Sequence, residues 1–320
     1  MTSQVGGSRA EANFELVVQS NIGPSALFRD IFGVSENPDD DAPPQRPAPL
    51  RMLVDDCMST CVLLLGSKTS QRSAWYAGST GDDGGMIVWA GERIFELLQR
   101  KGMMGGAHFE YTVTVSMVEI YDEIANDLLQ PANENLQLEF TPDRGCSLRG
   151  VHERACKDNN DIRECVKEAR GNRDNRKFDT GNAADSCSAV FELVVTQRSN
   201  EDPDVSASSP QMKSRLLLVD APSTHKWVEN EEELRVREGT TLNRSLLSLR
   251  RVCTSLSRQD SVQSAPFQQS KLTALLEDVL GGNAFVVGLS FLVQGESESN
   301  GGEGRRVCKC ELIYRVWERT

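Results

Sequence analysis

Pro266 to Asn283 reads PFQQSKLTALLEDVLGGN. Its spacing predicts a helix over Ser270–Leu280, stopped by Gly281-Gly282, because glycine enters the left-handed conformation that ends helices. The apolar run Ala284–Phe291 is then a strand. Upstream, Thr241–Leu256 has helical spacing, and RLLLVD, Arg215–Asp220, reads as a buried strand ending in an acid. Downstream, Glu296–Gly304 is a flexible loop before a last segment, Val307–Trp317.

The rest of the chain is patterned in the same way. Phe14–Gln19 is a short strand, and Phe28–Phe32 (FRDIF) is read as another. Asn37–Pro49 is rich in Pro and Asp and is a loop. Arg51–Cys61 is amphipathic enough for a helix, running into the strand Val62–Leu65. Gly66–Gly85 is a Ser/Gly-rich loop region, and Met86–Arg100 is a helix. Tyr111–Tyr121 alternates as a half-buried strand, as does Ala189–Thr196. Asp161–Arg170 is a helix capped by Asn159 or Asn160, and Asn200–Ser209 is a polar loop. Strands alternate with helices throughout, which predicts an α/β fold: a central mixed sheet with helices on both faces. One domain is expected over residues 14–317, after a flexible segment 1–13, with loop insertions near 37–49 and 198–212.

Bulk properties exclude several classes. A net charge of −12 argues against a nucleic-acid binder. No apolar run reaches the ~18 residues of a membrane span, and the N-terminus lacks an apolar signal core, so a cytoplasmic protein is expected. The nine cysteines and three histidines show no zinc-ribbon spacing, so reduced thiols and no metal site are expected.

Four stretches, in order, carry a family resemblance: VSMVEIYDEIANDLL (Val115–Leu129), RLLLVDAP, LNRSLLSL (Leu242–Leu249) and the Pro266–Asn283 segment. Together they resemble the kinesin motor domain. The resemblance implies a P-loop NTPase-like core with an ATP site at the carboxyl ends of the strands. It also implies a microtubule-facing surface around the Leu242 and Ser270 helices.

The resemblance extends unevenly into the ATP site. A phosphate loop has the form G-x-x-x-x-G-K-[ST], and Gly66–Ser73 occupies that frame here. Gly66 and Ser73 match. Gln71 stands at the second glycine and Arg72 at the lysine; a glutamine side chain obstructs a bare-backbone cradle, and arginine is no simple lysine. At the first switch Ser186 holds the arginine position and Ser188 the histidine position, with Asp185 and Cys187 where hydroxyls are usual. At the second switch Asp220 survives, Ser223 replaces glycine and His225 replaces glutamate. The family's arginine–glutamate bridge between the switches is thus absent at both ends.

From this the chain is expected to be no enzyme, to take neither ATP nor magnesium, and to act as a pseudo-motor. Its role is structural, on microtubules or a microtubule-based assembly such as an axoneme, in the cytoskeleton and, by extension, in a cilium or flagellum. Two alternatives stay open: an interaction module that pairs with an active motor or complex without touching tubulin, and a slow ATPase. The candidate surface for tubulin or another cytoskeletal partner carries Arg244, Arg250, Arg251, Arg258 and Lys271. Gln268-Gln269 replaces the family's basic–acidic pair there.

Overall fold

The computed structural model describes residues 2–5, 8–11, 16–18, 28–29, 31–33, 48–66, 72–78, 85–105, 109–141, 145–175, 187–199, 211–222, 233–257, 264–293 and 308–315. In chain order its elements are β1 (Thr2–Val5), β2 (Ser8–Glu11), β3 (Leu16–Val18), α1 (Pro49–Asp55), β4 (Ser59–Gly66), α2 (Arg72–Ala77) and α3 (Gly85–Gly105). Then come β5 (Phe109–Tyr121), β6 (Ile124–Asp127), β7 (Leu138–Thr141), β8 (Gly145–Leu148), β9 (Arg154–Cys156), α4 (Asn159–Asn175), β10 (Ser188–Ser199) and β11 (Met212–Asp220). The last are α5 (Glu233–Ser257), α6 (Lys271–Leu275), β12 (Ala284–Val293) and β13 (Cys308–Arg315).

The main sheet runs β3-β13-β12-β4-β11-β10-β5-β6, with β9 also on β5. It is mixed, as expected: β4 pairs in parallel with both β11 and β12, and the flanking pairs are antiparallel. Successive side chains of a strand point to opposite faces. Accordingly, Val62 and Leu64 of β4 join a core with α1–α4, where Leu53, Ile94 and Val166 are buried. Cys61 and Leu63 face the other way, with Leu249, Val252, Leu272 and Leu276 of the α5–α6 side.

The Pro266–Asn283 segment is built from its side chains. Ser270 caps α6 by accepting from the Thr273 amide at 3.1 Å, and Thr273 Oγ1 donates to the Phe267 carbonyl at 2.5 Å. The β5–β6 hairpin turns on Asp122 and Glu123, both with positive φ (48° and 60°), as a two-residue hairpin turn requires. Glu123 then accepts from Ser245 Oγ of α5 at 3.1 Å and from the Lys271 amide of α6 at 2.5 Å. One turn therefore fixes both helices of that face.

Several expectations are corrected. Residues 28–29 and 31–32 are helical, not extended; Phe28, Ile31 and Phe32 bury one face at helical spacing. Pro49 begins α1 instead of closing a loop. That helix ends at Asp55, Cys57 takes φ 54°, and the strand starts at Ser59. Within Gly66–Gly85 stands α2. Asp158 caps α4, accepting from the Asn160 amide at 2.8 Å and the Asp161 amide at 3.2 Å. The Ser270–Leu280 helix is broken after Leu275 and ends in a wide turn at Gly282, φ 110°. Separately from the main sheet, β1 pairs antiparallel with β2. The loops at Asn200–Ser209 and Glu296–Gly304 lie outside the described residues.

Candidate functional site

Parallel pairing puts the carboxyl ends of β4 and β11 side by side, with Leu64 in register with Asp220. The Ala221 amide donates to the Leu64 carbonyl at 3.1 Å and ties the two strands where both leave the sheet. Asp220 is fully buried there.

Two consecutive residues of α2 hold this carboxylate. Arg72 donates from Nε to Asp220 Oδ1, and Ser73 donates from Oγ to Oδ2 at 2.7 Å. Arg72 also donates from Nη1 to the Gly66 carbonyl at 2.8 Å, so it joins the end of β4, the end of β11 and its own helix. Only 2% of its side chain is exposed. A buried ion carries a large desolvation cost unless paired and hydrogen-bonded, and this one is both.

A second ion pair lies next to the first. Arg173, in the last turn of α4, donates from Nε to Glu119 Oε1 at 2.9 Å. Burial pulls its guanidinium down, but the charges of Glu119 and Asp220 more than restore it, so it stays charged. Tyr76 of α2 is also buried, and its phenol is pushed well up by burial and then by the Asp220 charge. Cys187 and Ser188 lie at the start of β10, where Ala189 is in register with Asp220, and both are buried.

Of the expected site residues, Gly66, Arg72, Ser73 and Asp220 come together. Cys187 and Ser188 are brought near. Gln71, Ser186, Ser223 and His225 lie outside the described residues. Arg173, Glu119 and Tyr76 were not singled out from the sequence; their signal is tertiary, since Glu119 and Arg173 lie on different elements far apart in the chain.

On the opposite face, Arg244, Arg250 and Arg251 are exposed on α5. Arg244 donates to the Gln269 carbonyl at 3.3 Å and Arg251 to its side-chain oxygen at 2.9 Å. Lys271 is half-buried and donates to the Leu136 carbonyl at 2.9 Å; burial lowers its ammonium, with Glu123 opposing. Arg258 lies outside the described residues. Among the described residues no cluster of His, Cys, Asp and Glu could hold a metal by itself, and the seven cysteines described with side chains are free thiols.

The end of a central parallel strand and the helix that follows it in the chain thus bring a cation and a hydroxyl to the acid ending the neighbouring strand, within an α/β fold. The family model for the kinesin motor domain matches residues 49–299, and the chain belongs to that family. It is 27% identical over 244 residues to kinesin-like protein KIN-8B of Arabidopsis thaliana, covering 75% of this chain and 29% of that one. It is 28% identical over 216 residues to human chromosome-associated kinesin KIF4B, covering 67% and 17%. The chain thus spans less than a third of the length of these relatives. A fast kinesin, solved for its ATPase mechanism and microtubule interactions, aligns with TM-score 0.63 and 26% identity over 74% of this chain and 66% of that one. A KIF14 dimer, solved with AMP-PNP in complex with a microtubule, shares the fold with TM-score 0.61 and 24% identity, covering 73% and 66%.

These findings correct the expectation of a chain that is no enzyme and takes neither ATP nor magnesium. The family match spans the whole cluster, and the similar fast kinesin is described by its ATPase mechanism. The physical reason lies in α2. Arg72 is a buried, paired cation and Ser73 a hydrogen-bonded hydroxyl, both held on Asp220, so the substitution at Arg72 leaves the charged cluster assembled.

Proposed function

We propose that this chain is a nucleotide-dependent motor domain that binds ATP with magnesium at the Gly66–Arg72–Ser73–Asp220 cluster and docks on microtubules. The observation that carries it is the joining of Arg72 and Ser73 to Asp220 where β4 and β11 end. The residues fit the group. Hydroxyl and carboxylate oxygens suit magnesium, which takes few protein ligands alongside phosphate oxygens. A guanidinium suits phosphate. Bound there, ATP with its metal supplies the phosphoryl group and neutralises its charge.

Arg72 would keep its charge beside the phosphates while seated on Asp220, Ser73 and Asp220 would hold the metal's surroundings, and Arg173, secured by Glu119, keeps positive potential behind Asp220. Docking uses the α5–α6 face, where Arg244, Arg250 and Arg251 stand exposed on a chain of net charge −12. Ties to Gln269 preform this face, which supports a structural role on a microtubule-based assembly, cytoskeletal in location, alongside turnover. The motor unit is taken as residues 14–317.

Three measurements test this: binding of a fluorescent ATP analogue with and without magnesium, phosphate release with and without microtubules, and co-sedimentation at low and moderate salt. Saturable magnesium-linked binding, stimulated release and pelleting that weakens with salt are expected. Nucleotide binding without pelleting at any salt would sink the docking half. Pelleting without nucleotide binding would sink the site half.

A further inference from the structure

The two oxygens of Asp220 are already engaged, and by different chemistry. Oδ2 receives a neutral hydroxyl from Ser73 at 2.7 Å, and a hydroxyl can turn its lone pairs towards a cation without leaving. Oδ1 receives a guanidinium. An arginine does not deprotonate in a protein, so it cannot step aside by losing its charge as a buried lysine can. Nor is this one loosely placed: Nη1 is anchored on the Gly66 carbonyl at 2.8 Å. Arg72 is 2% exposed and Asp220 fully buried, so solvent screens the pair little.

A divalent cation drawn to Ser73 and Asp220 therefore meets a fixed positive charge on the same carboxylate. Resting on the nucleotide-site reading above, we infer that Arg72 competes with the metal for Asp220 and thereby sets how much magnesium the site needs to hold a nucleotide. Removing the guanidinium frees Oδ1. Lysine, with one compact ammonium, lacks the second arm that reaches Gly66 while the first holds Asp220. Both changes lower the magnesium requirement.

The test is a magnesium titration of a fluorescent ADP analogue, read as binding and not as turnover, in wild type, R72Q and R72K. Circular dichroism melts establish that each variant is folded; R72K keeps a positive charge if R72Q proves unstable. The expected result is a magnesium midpoint at least about fivefold lower in the variants, the lower end of ordinary coupling between interacting sites. Variants that bind while wild type fails even at high magnesium also support the competition. Midpoints equal to or above wild type overturn it, because Arg72 then leaves Asp220 once phosphate arrives. Binding by wild type alone also overturns it, since Arg72 would then serve phosphate. If no form binds with or without magnesium, the nucleotide-site reading falls and takes this inference with it; a wild type that binds, with variants at the same midpoint, defeats the inference alone.

Discussion

Arg72 and Asp220 are 148 positions apart in the chain, yet they form a buried pair joining α2 to the end of β11, with Ser73 on the second carboxylate oxygen. Removing one partner strands the other charge out of water. D220N and R72M should each cost about 3–5 kcal/mol in chemical denaturation. The double variant should cost clearly less than the sum, since neither charge is then left alone. Additive losses would show that the pair is not coupled.

The Glu119–Arg173 pair is bound by the same electrostatics. Arg173 stays charged although buried because Glu119 and Asp220 face it. E119Q keeps the shape and removes the charge, so about 3 kcal/mol of stability should be lost. If Arg173 also shapes the potential at Asp220, nucleotide affinity should fall in folded E119Q. Unchanged urea midpoints would refute the claim of a critical buried partner.

Much of the fold was legible because it is periodic. The alternation in Tyr111–Tyr121 and the apolar run before Asp220 announce strands, and the sheet places them as expected. Short segments were not legible. FRDIF suits a strand or a helical turn, and burial of Phe28, Ile31 and Phe32 together selects the turn. RSAWYA carries no helical period; α2 is held by Arg72 on Asp220 and by Tyr76 in the core, both long-range. Asp220 and Ser73 could be found by motif spacing. The meaning of Arg72 could not, because its effect depends on the partner it reaches.

Alkaline stability follows from the buried thiol of β4. Burial pushes Cys61 up from an ordinary 9.0 to about 12. The unfolded chain therefore loses this proton at lower pH than the folded one. The stabilising contribution is complete below pH ~9 and is lost as pH climbs towards 12, at about 1.4 kcal/mol per pH unit. Tyr76 acts in the same direction. Cys61→Val fills similar space without a proton. Urea melts between pH 9 and 11 should fall more steeply in wild type than in this variant, and parallel slopes would exonerate the thiol.

Two glycines on neighbouring helices should respond oppositely to alanine. Within a helix, alanine for glycine ordinarily gains up to ~1 kcal/mol. At Gly91 of α3, however, a Cβ would stand 2.6 Å from Ile162 Cδ1 and 2.7 Å from Asn159 Oδ1, both of α4. These are side-chain ends and can yield a little, but Ile162 is fully buried and has nowhere open to go. Overpacking of this kind costs about 1–3 kcal/mol, which exceeds the helix gain, so G91A should be less stable by roughly 1 kcal/mol. Gly171 of α4 is exposed with nothing within 4 Å of its Cβ position. G171A should therefore gain about 0.5–1 kcal/mol. Thermal melts of the two variants side by side check both signs, and a stabilised G91A would mean that α3 and α4 do not pack as closely as Gly91 permits.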